Sequence, residues 1–391
     1  MDNFQIISAL CRQVIKDGAS NGALQQMERL YNALKESGAS NEARMLRTLI
    51  NKADTQKSLE PTKLELSRAA FLNKQELRPN SKVPVDKETG APLAEIIFPE
   101  SMEHACIPVM PEDLTLAVEQ LLEQWSNVDK LASYGVLPLL SCLLFGLPGT
   151  GKTMLALYIA RKLQLPIVLA KLDGLVSSLL GTSARNITNL FNFAAQYDCV
   201  LLLDEFDAVA KARNDQHEVG EIKRVVNTLL QCIDTRARTG MTIAITNHEV
   251  LLDPAIWRRF EMRIFVPKPT FDARKEIIIK YHSPLNLSEE EIKFLSLVSE
   301  GFSGSDIRQM LNSLKRMTAI NNVELGFIGM IKSFLVIHAG AVDDNFRNLI
   351  NTESDHVIMN KLYREHHFTQ SEIARIFNVN QSKVSRCIKE C

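Results

Sequence analysis

The sequence lacks any pattern of cysteines that would build a disulfide framework or a zinc site. Seven cysteines are scattered over the chain of 391 residues, and no two of them form a Cys-x-x-Cys pair. Isolated thiols in an odd number are typical of proteins in a reducing compartment, where disulfides are rare. We therefore expect the cysteines to be buried or chemically idle.

Long hydrophobic runs and a surplus of either charge are also missing. No stretch reaches the roughly 20 consecutive apolar residues that a transmembrane helix requires, and the N-terminal stretch lacks the basic and apolar segments of a secretion signal. The 45 Lys and Arg residues balance the 46 Asp and Glu residues, which argues against a surface built wholly for nucleic acid but allows a local basic patch. These absences favour a soluble, cytoplasmic protein without a membrane partner.

The composition is that of a globular protein, with 46% hydrophobic and 23% charged residues, and the length suits two to three domains. Apolar residues at helical spacing predict a small helical bundle in residues 1–55, which fits either a docking module or a cap on the next domain. Residues 56–111 are rich in Pro, Asn, Ser and charge and have no period, so they predict a linker or an extended arm.

Short apolar runs alternate with helical stretches through residues 112–269. Such alternation is typical of crossover units, in which a parallel sheet carries helices on both faces. The pattern therefore predicts an α/β fold, and residues 270–340, which show helical spacing alone, predict a second, all-α subdomain. The five apolar runs are SCLLFG, PIVLAKL, CVLLLDE, MTIAITN and MRIFVPK.

A glycine-rich loop follows the first of these strands and precedes a helix-forming stretch, TMLALYIARKL. In this context the motif G-x-x-x-x-G-K-T wraps phosphate groups with its backbone N–H groups, and the helix N-terminus adds positive potential. Lys152 is expected to reach the β- and γ-phosphates of a nucleotide, and the hydroxyl of Thr153 is expected to bind Mg²⁺. The candidate phosphate-binding residues are Gly146, Pro148, Gly149, Thr150, Gly151, Lys152 and Thr153.

The buried strand VLLLD ends in two adjacent carboxylates, Asp204 and Glu205. An acid at the carboxyl end of a strand, beside a phosphate-binding loop, suits a metal ion, and a second acid can orient the attacking water. Asp204 is therefore the candidate metal-side carboxylate, and Glu205 is the candidate catalytic base.

Four ordered segments resemble the AAA-type ATPases of the AAA+ superfamily, and most closely the branch that contains spastin, katanin and their bacterial relatives. These segments are GLPGTGKT, LLLDEFD, ITNH and LDPAIWRRFEMRIFVPKP. The resemblance covers about residues 112–335. It implies a P-loop ATPase that hydrolyses ATP with Mg²⁺, and it makes residues 270–340 the α-helical lid.

The resemblance also implies roles for single residues. Asn247, after the fourth strand, would be sensor 1 and would place the attacking water. Arg258 and Arg259 would be arginine fingers that reach the nucleotide of a neighbouring subunit, which implies a homo-oligomeric ring, a hexamer by the resemblance. The alternative for both arginines is a set of local salt bridges.

Two further segments correspond to nucleotide contacts in the family. The segment EGFSGSDIRQML matches the lid, where Gly304 and Ser305 would lie beside the base and the ribose. Residues 133–138, SYGVLP, fall where related proteins form the adenine pocket, although the residue types differ from the usual pattern.

The pore loop of the family corresponds to Leu179, Leu180 and Gly181. Members that thread substrates have an aromatic residue before the hydrophobic residue and the glycine, and here that residue is leucine. A fully covered leucine can still contribute about 1.5–3 kcal/mol of apolar contact. Both a threading ring and a ring that clamps or switches a partner therefore stay open.

The tail, residues 350–391, has the spacing of a helix-turn-helix. Thr369 and Glu372 form a capping-box pattern, Asn378 suits a left-handed turn, and a second helix is predicted from Gln381 with Cys387 in its core. Residues 361–391 contain six Lys or Arg against three Glu. The alternative to DNA binding is a helical hairpin that packs on the ATPase or binds protein. The candidate DNA contacts are Gln381, Ser382, Lys383, Ser385 and Arg386.

Two functions fit this sequence. The first is an ATP-driven ring that remodels or regulates a protein partner recruited by the N-terminal helices. A protease is one candidate partner, since some bacterial relatives are encoded beside subtilisin-type proteases, and the same relatives favour a bacterial source. The second is a DNA-associated ATPase regulator that binds DNA through its tail. A scaffold with little turnover is disfavoured, because Glu205 and both arginines are present.

Overall fold

The chain divides into two compact units, residues 1–65 and 66–391. In the first unit residues 29–34 are helical, and Leu34 and Leu46 are buried. The rest of the predicted N-terminal bundle lies outside the described residues. The computed structural model describes residues 29–34, 39, 43, 45–46, 75–102, 107–172, 182–207, 219–236, 240–252, 254–320, 326–337, 350 and 352–389.

The second unit is built on a six-stranded sheet with the order β1-β3-β4-β5-β2-β6. All five predicted runs form strands, and they pair with one another in parallel. The predicted α/β fold with helices around a parallel sheet is therefore confirmed. The strands are β1 (Glu95–Ile97), β2 (Ser141–Phe145), β3 (Ile167–Lys171), β4 (Val200–Asp204), β5 (Thr242–Thr246) and β6 (Met262–Phe265).

Strand β1 was not predicted, because it lies in the segment that reads as a linker. It pairs antiparallel with β3, so the sheet is mixed at this edge. The same segment is pinned by the buried carboxylate of Asp86, which accepts hydrogen bonds from the backbone N–H of Glu88 at 2.7 Å and from Asn186 Nδ2 at 2.6 Å. Backbone hydrogen bonds from Thr89 and Glu88 lower the pKa of Asp86. Residues 75–97 are therefore an ordered arm rather than a linker.

Helices cover both faces of the sheet because side chains alternate along each strand. Leu143 and Leu203 belong to the core on one face, whereas Cys142, Leu144 and Leu202 belong to the core on the other. Helices α4 and α5 supply the first core, and helices α1 and α3 supply the second. The helices of this part are α1 (Glu112–Ser126), α2 (Val128–Ser133), α3 (Lys152–Leu163), α4 (Ser183–Gln196), α5 (Val219–Arg236) and α6 (Pro254–Trp257).

The lid and the tail are helical, as predicted, but they share one core. Apolar residues of both segments form a single buried cluster, to which Phe294 and Leu295 contribute from the lid and Ile373 and Val384 from the tail. Helix α8 of the lid contacts helix α12 of the tail. The lid contains α7 (Phe271–Tyr281), α8 (Glu289–Val298), α9 (Gly304–Ala319) and α10 (Gly326–Ile337), and the tail contains α11 (Asp355–Arg364), α12 (Gln370–Ile376) and α13 (Gln381–Lys389).

Three of the four described cysteines are buried, and Cys232 is half-buried. Cys142, Cys199 and Cys387 are buried, and burial raises the pKa of the Cys142 thiol to about 12, which keeps it protonated and unreactive. Within the described ranges, no helix combines the length and the apolar character that crossing a membrane requires.

Candidate functional site

Three neighbouring parallel strands end at one edge of the sheet, and each precedes a segment that the sequence singles out. The order β4-β5-β2 brings the ends of these strands together. The glycine-rich loop follows β2, Asp204 ends β4, and Asn247 follows β5. Ligands of open α/β sheets bind outside the carboxyl ends of the strands, so this edge is where a site is expected.

A cavity of about 430 Å³ lies at this edge. The glycine-rich loop lines it from residue 148 onward, together with the start of α3. Of the predicted phosphate-binding residues, Gly146 alone does not line the cavity. The polar residues that line it include Lys152, Thr153, Asp204, Glu205 and Asn247.

The glycines of the loop have backbone angles that other residues rarely adopt. Gly149 has φ 75° and Gly151 has φ 100°, so the loop can turn sharply and present its N–H groups. A Cβ atom on Gly149 would lie 2.5 Å from Ser303 Oγ of the lid. The backbone N–H of Ser305 donates to the Gly149 carbonyl at 3.1 Å. The lid therefore touches the phosphate-binding loop directly.

Gly146 supports the loop instead of contacting a ligand. It has φ 142°, and a Cβ atom there would lie 2.4 Å from the carbonyl oxygen of Val266. Its own carbonyl accepts a hydrogen bond from Lys152 Nζ at 2.8 Å. Only glycine lets the end of β2 pass this close to the backbone that follows β6.

The substitution Gly146→Ala tests this close approach. We expect it to lower the free energy of unfolding by about 3 kcal/mol or more, because it combines a strained φ with a backbone clash. Gly135→Ala is the matched control, since Gly135 has φ 74° and no atom within 4 Å of the added Cβ; it should cost only about 1–2 kcal/mol. Urea unfolding of both variants measures the difference, and equal costs would contradict the clash.

Lys152 is the first residue of α3 and is almost fully buried, at 4% exposed. Its ammonium group donates to the carbonyls of Gly146 at 2.8 Å and Leu147 at 2.7 Å. Burial lowers its pKa to about 8, although the nearby charges of Asp204 and Glu249 favour the protonated form. An anion bound in the cavity would favour the charged form of Lys152, so the position of this lysine suits a phosphate.

Glu205 is held in an unusual backbone conformation at the end of β4. Its φ is 55°, a left-handed value that costs a residue other than glycine about 1–3 kcal/mol. Its N–H donates to Asp204 Oδ1 at 2.9 Å, and the next N–H, of Phe206, donates to the Ile245 carbonyl at 2.9 Å. Strain of this kind is concentrated at functional sites, and Glu205 lines the cavity.

The wall of the cavity away from the glycine-rich loop includes apolar residues from two other segments of the chain. It is lined by Ile107 and Val109 from the chain before α1 and by Ile277 and Tyr281 of the lid, not by residues 133–138. A contact of residues 133–138 with adenine therefore stays a prediction from the resemblance alone. Ile277 and Tyr281 are four positions apart and share one face of α7, which is the only sign of this wall in the sequence.

The lid residues Gly304 and Ser305 line the cavity, and their contact with the base and the ribose stays a prediction. They begin α9, whose N-terminus is fixed by a capping box between Ser303 and Asp306. Arg308 also lines the cavity and stacks over the ring of Tyr281 at 4.9 Å. The lid therefore contributes both the start of one helix and a face of another to the site.

The two adjacent arginines after α6 have different surroundings. Neither lines the cavity of its own chain. Arg259 makes an ion pair with Asp234 at 3.2 Å and donates from Nη1 to the Ala255 carbonyl at 3.1 Å. The Arg258 side chain is exposed and has no hydrogen bond or ion pair to the described residues. Among the residues that the structure describes, the local salt bridge considered for both arginines is thus present for Arg259 only.

The predicted pore-loop residues Leu179, Leu180 and Gly181 lie outside the described residues. The predicted features of the tail are present: the capping box of Thr369 and Glu372, and a φ of 51° at Asn378. Val384 and Cys387 are buried, so α13 presents its other side to solvent. That side carries the candidate DNA contacts Gln381, Ser382, Lys383, Ser385 and Arg386, of which Ser385 is half-buried and the others are exposed.

Comparison with protein families matches residues 142–268 to the "ATPase family associated with various cellular activities (AAA)". An uncharacterised AAA family ATPase of Sinorhizobium fredii is 40% identical over 189 residues, which are 46% of this chain and 57% of that protein. The ATP-dependent zinc metalloprotease FtsH of Aquifex aeolicus is 31% identical over 217 residues, which are 53% of this chain and 34% of FtsH. This chain thus spans only part of the length of these relatives.

A proteasome-activating nucleotidase of Archaeoglobus fulgidus is 29% identical over 275 residues, which are 64% of this chain and 69% of that protein. Among solved structures, the AAA domain of FIGL-1 in complex with ADP is 21% identical, with a TM-score of 0.49 over 61% of this chain and 79% of that chain. The family match spans the glycine-rich loop, the Asp204-Glu205 pair, Asn247 and both arginines. Residues 142–268 of this chain are therefore similar to the ATPase domain of the AAA family.

Proposed function

We propose that this protein is an ATP-hydrolysing ring ATPase that couples ATP binding and hydrolysis to the remodelling or regulation of a protein partner. The observation that carries the proposal is the convergence of Lys152, Thr153, Asp204, Glu205 and Asn247 on one cavity beneath the lid. These side chains supply a cation, a hydroxyl, two carboxylates and an amide, which is what phosphoryl transfer to water needs.

The work of each residue follows from its position. The N–H groups of the glycine-rich loop and Lys152 bind the phosphates and favour the charge that develops on them. Glu205 is placed to orient the attacking water and to accept its proton, and Asn247 fixes the water from the neighbouring strand. The lid covers the nucleotide and limits access of bulk water.

Mg²⁺ fits the residues at this site. Thr153 and Asp204 offer hard oxygen ligands and line the same cavity. Within the described ranges, no group of three or more His, Cys, Asp or Glu residues could hold a metal ion. This arrangement suits Mg²⁺, which proteins commonly bind through one or two side chains together with substrate phosphates. When bound, the ion neutralises charge on the phosphate oxygens.

The arginines and the relatives support a ring that acts on proteins. Arg258 is exposed and lies outside the cavity of its own chain, so it is available to the nucleotide of a neighbour. Two relatives are named for work linked to proteolysis, one a proteasome-activating nucleotidase and the other an ATP-dependent metalloprotease. These names support a protein partner, and a protease is one candidate.

The concentration dependence of hydrolysis tests the ring. We expect the rate of phosphate release per subunit, measured with ATP and Mg²⁺, to rise steeply with protein concentration, because each site is complete only when a neighbour supplies an arginine. Light scattering under the same conditions should show assembly over the same range. A full rate from a monomer would rule out the ring, and no hydrolysis from the assembled protein would rule out the activity.

The surface of α13 favours a second candidate function, a DNA-associated ATPase regulator. The exposed side of this helix carries Lys383, Arg386 and Lys389, and α13 contains no acidic residue. Deleting residues 350–391 would uncover the core that the tail shares with the lid. Substitutions on the exposed side of α13 are therefore the suitable way to separate the two candidates.

A further inference from the structure

The tail is fastened to the lid by polar contacts as well as by the shared core. Lys293 of α8 forms an ion pair with Glu372 of α12 at 2.8 Å, and its ammonium group lies 4.2 Å from the ring centroid of Phe368. Arg375 of α12 pairs with Glu290 at the start of α8. A single exposed ion pair contributes little, but here two pairs flank an apolar contact and fix its register.

The two glutamates of this contact are charged at neutral pH. Hydrogen bonds to its own backbone N–H, to Ser288 and to Arg375 lower the pKa of Glu290. Burial alone would raise the pKa of Glu372, but hydrogen bonds from Lys293 and from the N–H of Thr369 hold it below its usual range. Both contacts are therefore ion pairs, and α12 is held to α8 in one orientation.

The lid that carries the tail also closes the nucleotide cavity. Ile277 and Tyr281 of α7 and Ser305 of α9 line the cavity, and the N–H of Ser305 donates to Gly149 of the phosphate-binding loop. Helices α7, α8 and α9 belong to the same buried cluster as the tail. A ligand that binds between the loop and the lid biases the position of the lid, and the shared core transmits that bias to the tail.

The exposed side of α13 suits double-stranded DNA. Lys383, Arg386 and Lys389 recur every three positions, and their side chains make no ion pair within the described part of the chain. Unpaired cations bind phosphates by releasing counterions. A single helix fits the major groove, and the uncharged residues Gln381 and Ser382 at its start are types that contact base edges.

We infer that the tail is a DNA-binding surface whose affinity is set by the nucleotide, with the lid as the connecting body. The inference rests on the proposed binding of ATP. Because α12 is fixed to α8 and α8 is packed within the lid, the ATP and ADP states hold α13 in different orientations toward a duplex. By linkage, DNA changes the ratio of the affinities for ATP and ADP by the same factor by which these nucleotides change the affinity for DNA.

The test measures binding of a fluorescein-labelled duplex of mixed sequence by anisotropy, with the full chain carrying Glu205→Gln to preserve ATP. We expect the dissociation constants with ATP and with ADP to differ about 5-fold or more, and binding to weaken steeply with salt. Lys383→Glu with Arg386→Glu should abolish binding in both states. Lys130→Glu with Lys162→Glu, an equal change of charge on exposed lysines of α2 and α3, should not.

A second variant tests whether the difference between the ATP and ADP states depends on the contact between lid and tail or on the gain in avidity from ring assembly. Glu290→Arg with Lys293→Glu places like charges opposite Arg375 and Glu372, and we expect it to bring the ratio of the two dissociation constants toward 1. Lys275→Glu with Glu289→Arg is the matched control, because it also leaves the net charge unchanged and reverses an ion pair that lies within the lid. Light scattering should show the same assembly for both variants.

The outcomes are distinct. Equal affinities with ATP and ADP, or an unchanged ratio in the variant with Glu290→Arg and Lys293→Glu, overturn the coupling. Binding that survives reversal of Lys383 and Arg386, or capture of a protein by this surface without affinity for DNA, overturns the assignment of the surface. Failure of a fluorescent ATP analogue to bind, measured without DNA, overturns the proposed function instead.

Discussion

Replacing Glu205 with glutamine is expected to lower the rate of ATP hydrolysis by about 10²–10⁴-fold, because the amide cannot accept a proton from the attacking water. Glutamine has the same shape and leaves the backbone N–H contact to Asp204 in place. Binding of nucleotide should therefore persist, and ATP should remain bound. Phosphate release measures the first effect, and equilibrium binding of a fluorescent ATP analogue measures the second.

The control for this substitution is Glu249→Gln. Glu249 favours the charged form of Lys152 but does not line the cavity. The change from glutamate to glutamine at this position therefore removes a negative charge without removing a group that could contact the attacking water. We expect its rate to stay within a few-fold of the parent rate. A Glu205→Gln protein that hydrolyses ATP at the parent rate would exclude Glu205 as the base, and loss of nucleotide binding would show that the residue shapes the cavity instead.

The strands of the sheet could be predicted because each is a short apolar run between turn residues. In β4, for example, the residues from Val200 to Leu203 are all buried, since helices cover both faces and no position needs to be polar. Strand β1 could not be predicted in this way. It has only three residues, none fully buried, and its place is set by an antiparallel partner that is distant in the sequence.

The polar part of the site could be predicted because its charged and amide side chains lie at or just after the ends of strands. Lys152 and Asn247 follow β2 and β5, and Asp204 ends β4. The ends of these strands meet, so the proximity of the three residues follows from the topology. The apolar wall of the cavity could not be predicted, because Val109 and Tyr281 are ordinary apolar and aromatic residues of the kind that also fill cores. Only the packing of the lid brings them to the cavity.

The tail also shows what could and could not be predicted for helices. Local signals identified the capping box at Thr369 and the turn at Asn378, because both depend on residues within a few positions. The apolar face of a helix indicates that the helix is buried, but it does not indicate which element covers that face. The sequence therefore predicted the helices of the tail, but it did not show that Phe368 and Ile373 complete the core of the lid.

Replacing Arg258 with alanine is expected to lower the rate of hydrolysis by about 10³–10⁵-fold, the effect of removing an arginine finger. The sequence offers Arg258 and Arg259 as equal candidates, but the structure separates them. Arg259 is committed to Asp234 and to the Ala255 carbonyl, and its side chain is only 33% exposed. We expect Arg259→Ala to cost less activity than Arg258→Ala and to lower the free energy of unfolding by up to about 1 kcal/mol.

Mixing two inactive variants decides whether Arg258 acts on a neighbouring subunit. An Arg258→Ala subunit keeps its own cavity intact, and a Glu205→Gln subunit keeps its arginine. In a mixed ring, the second can supply Arg258 to the nucleotide of the first, so we expect phosphate release to reappear on mixing. An Arg259→Ala protein mixed with Glu205→Gln serves as the comparison. If Arg258 acted within its own chain, every site in the mixture would lack one of the two groups, and the mixture would stay inactive.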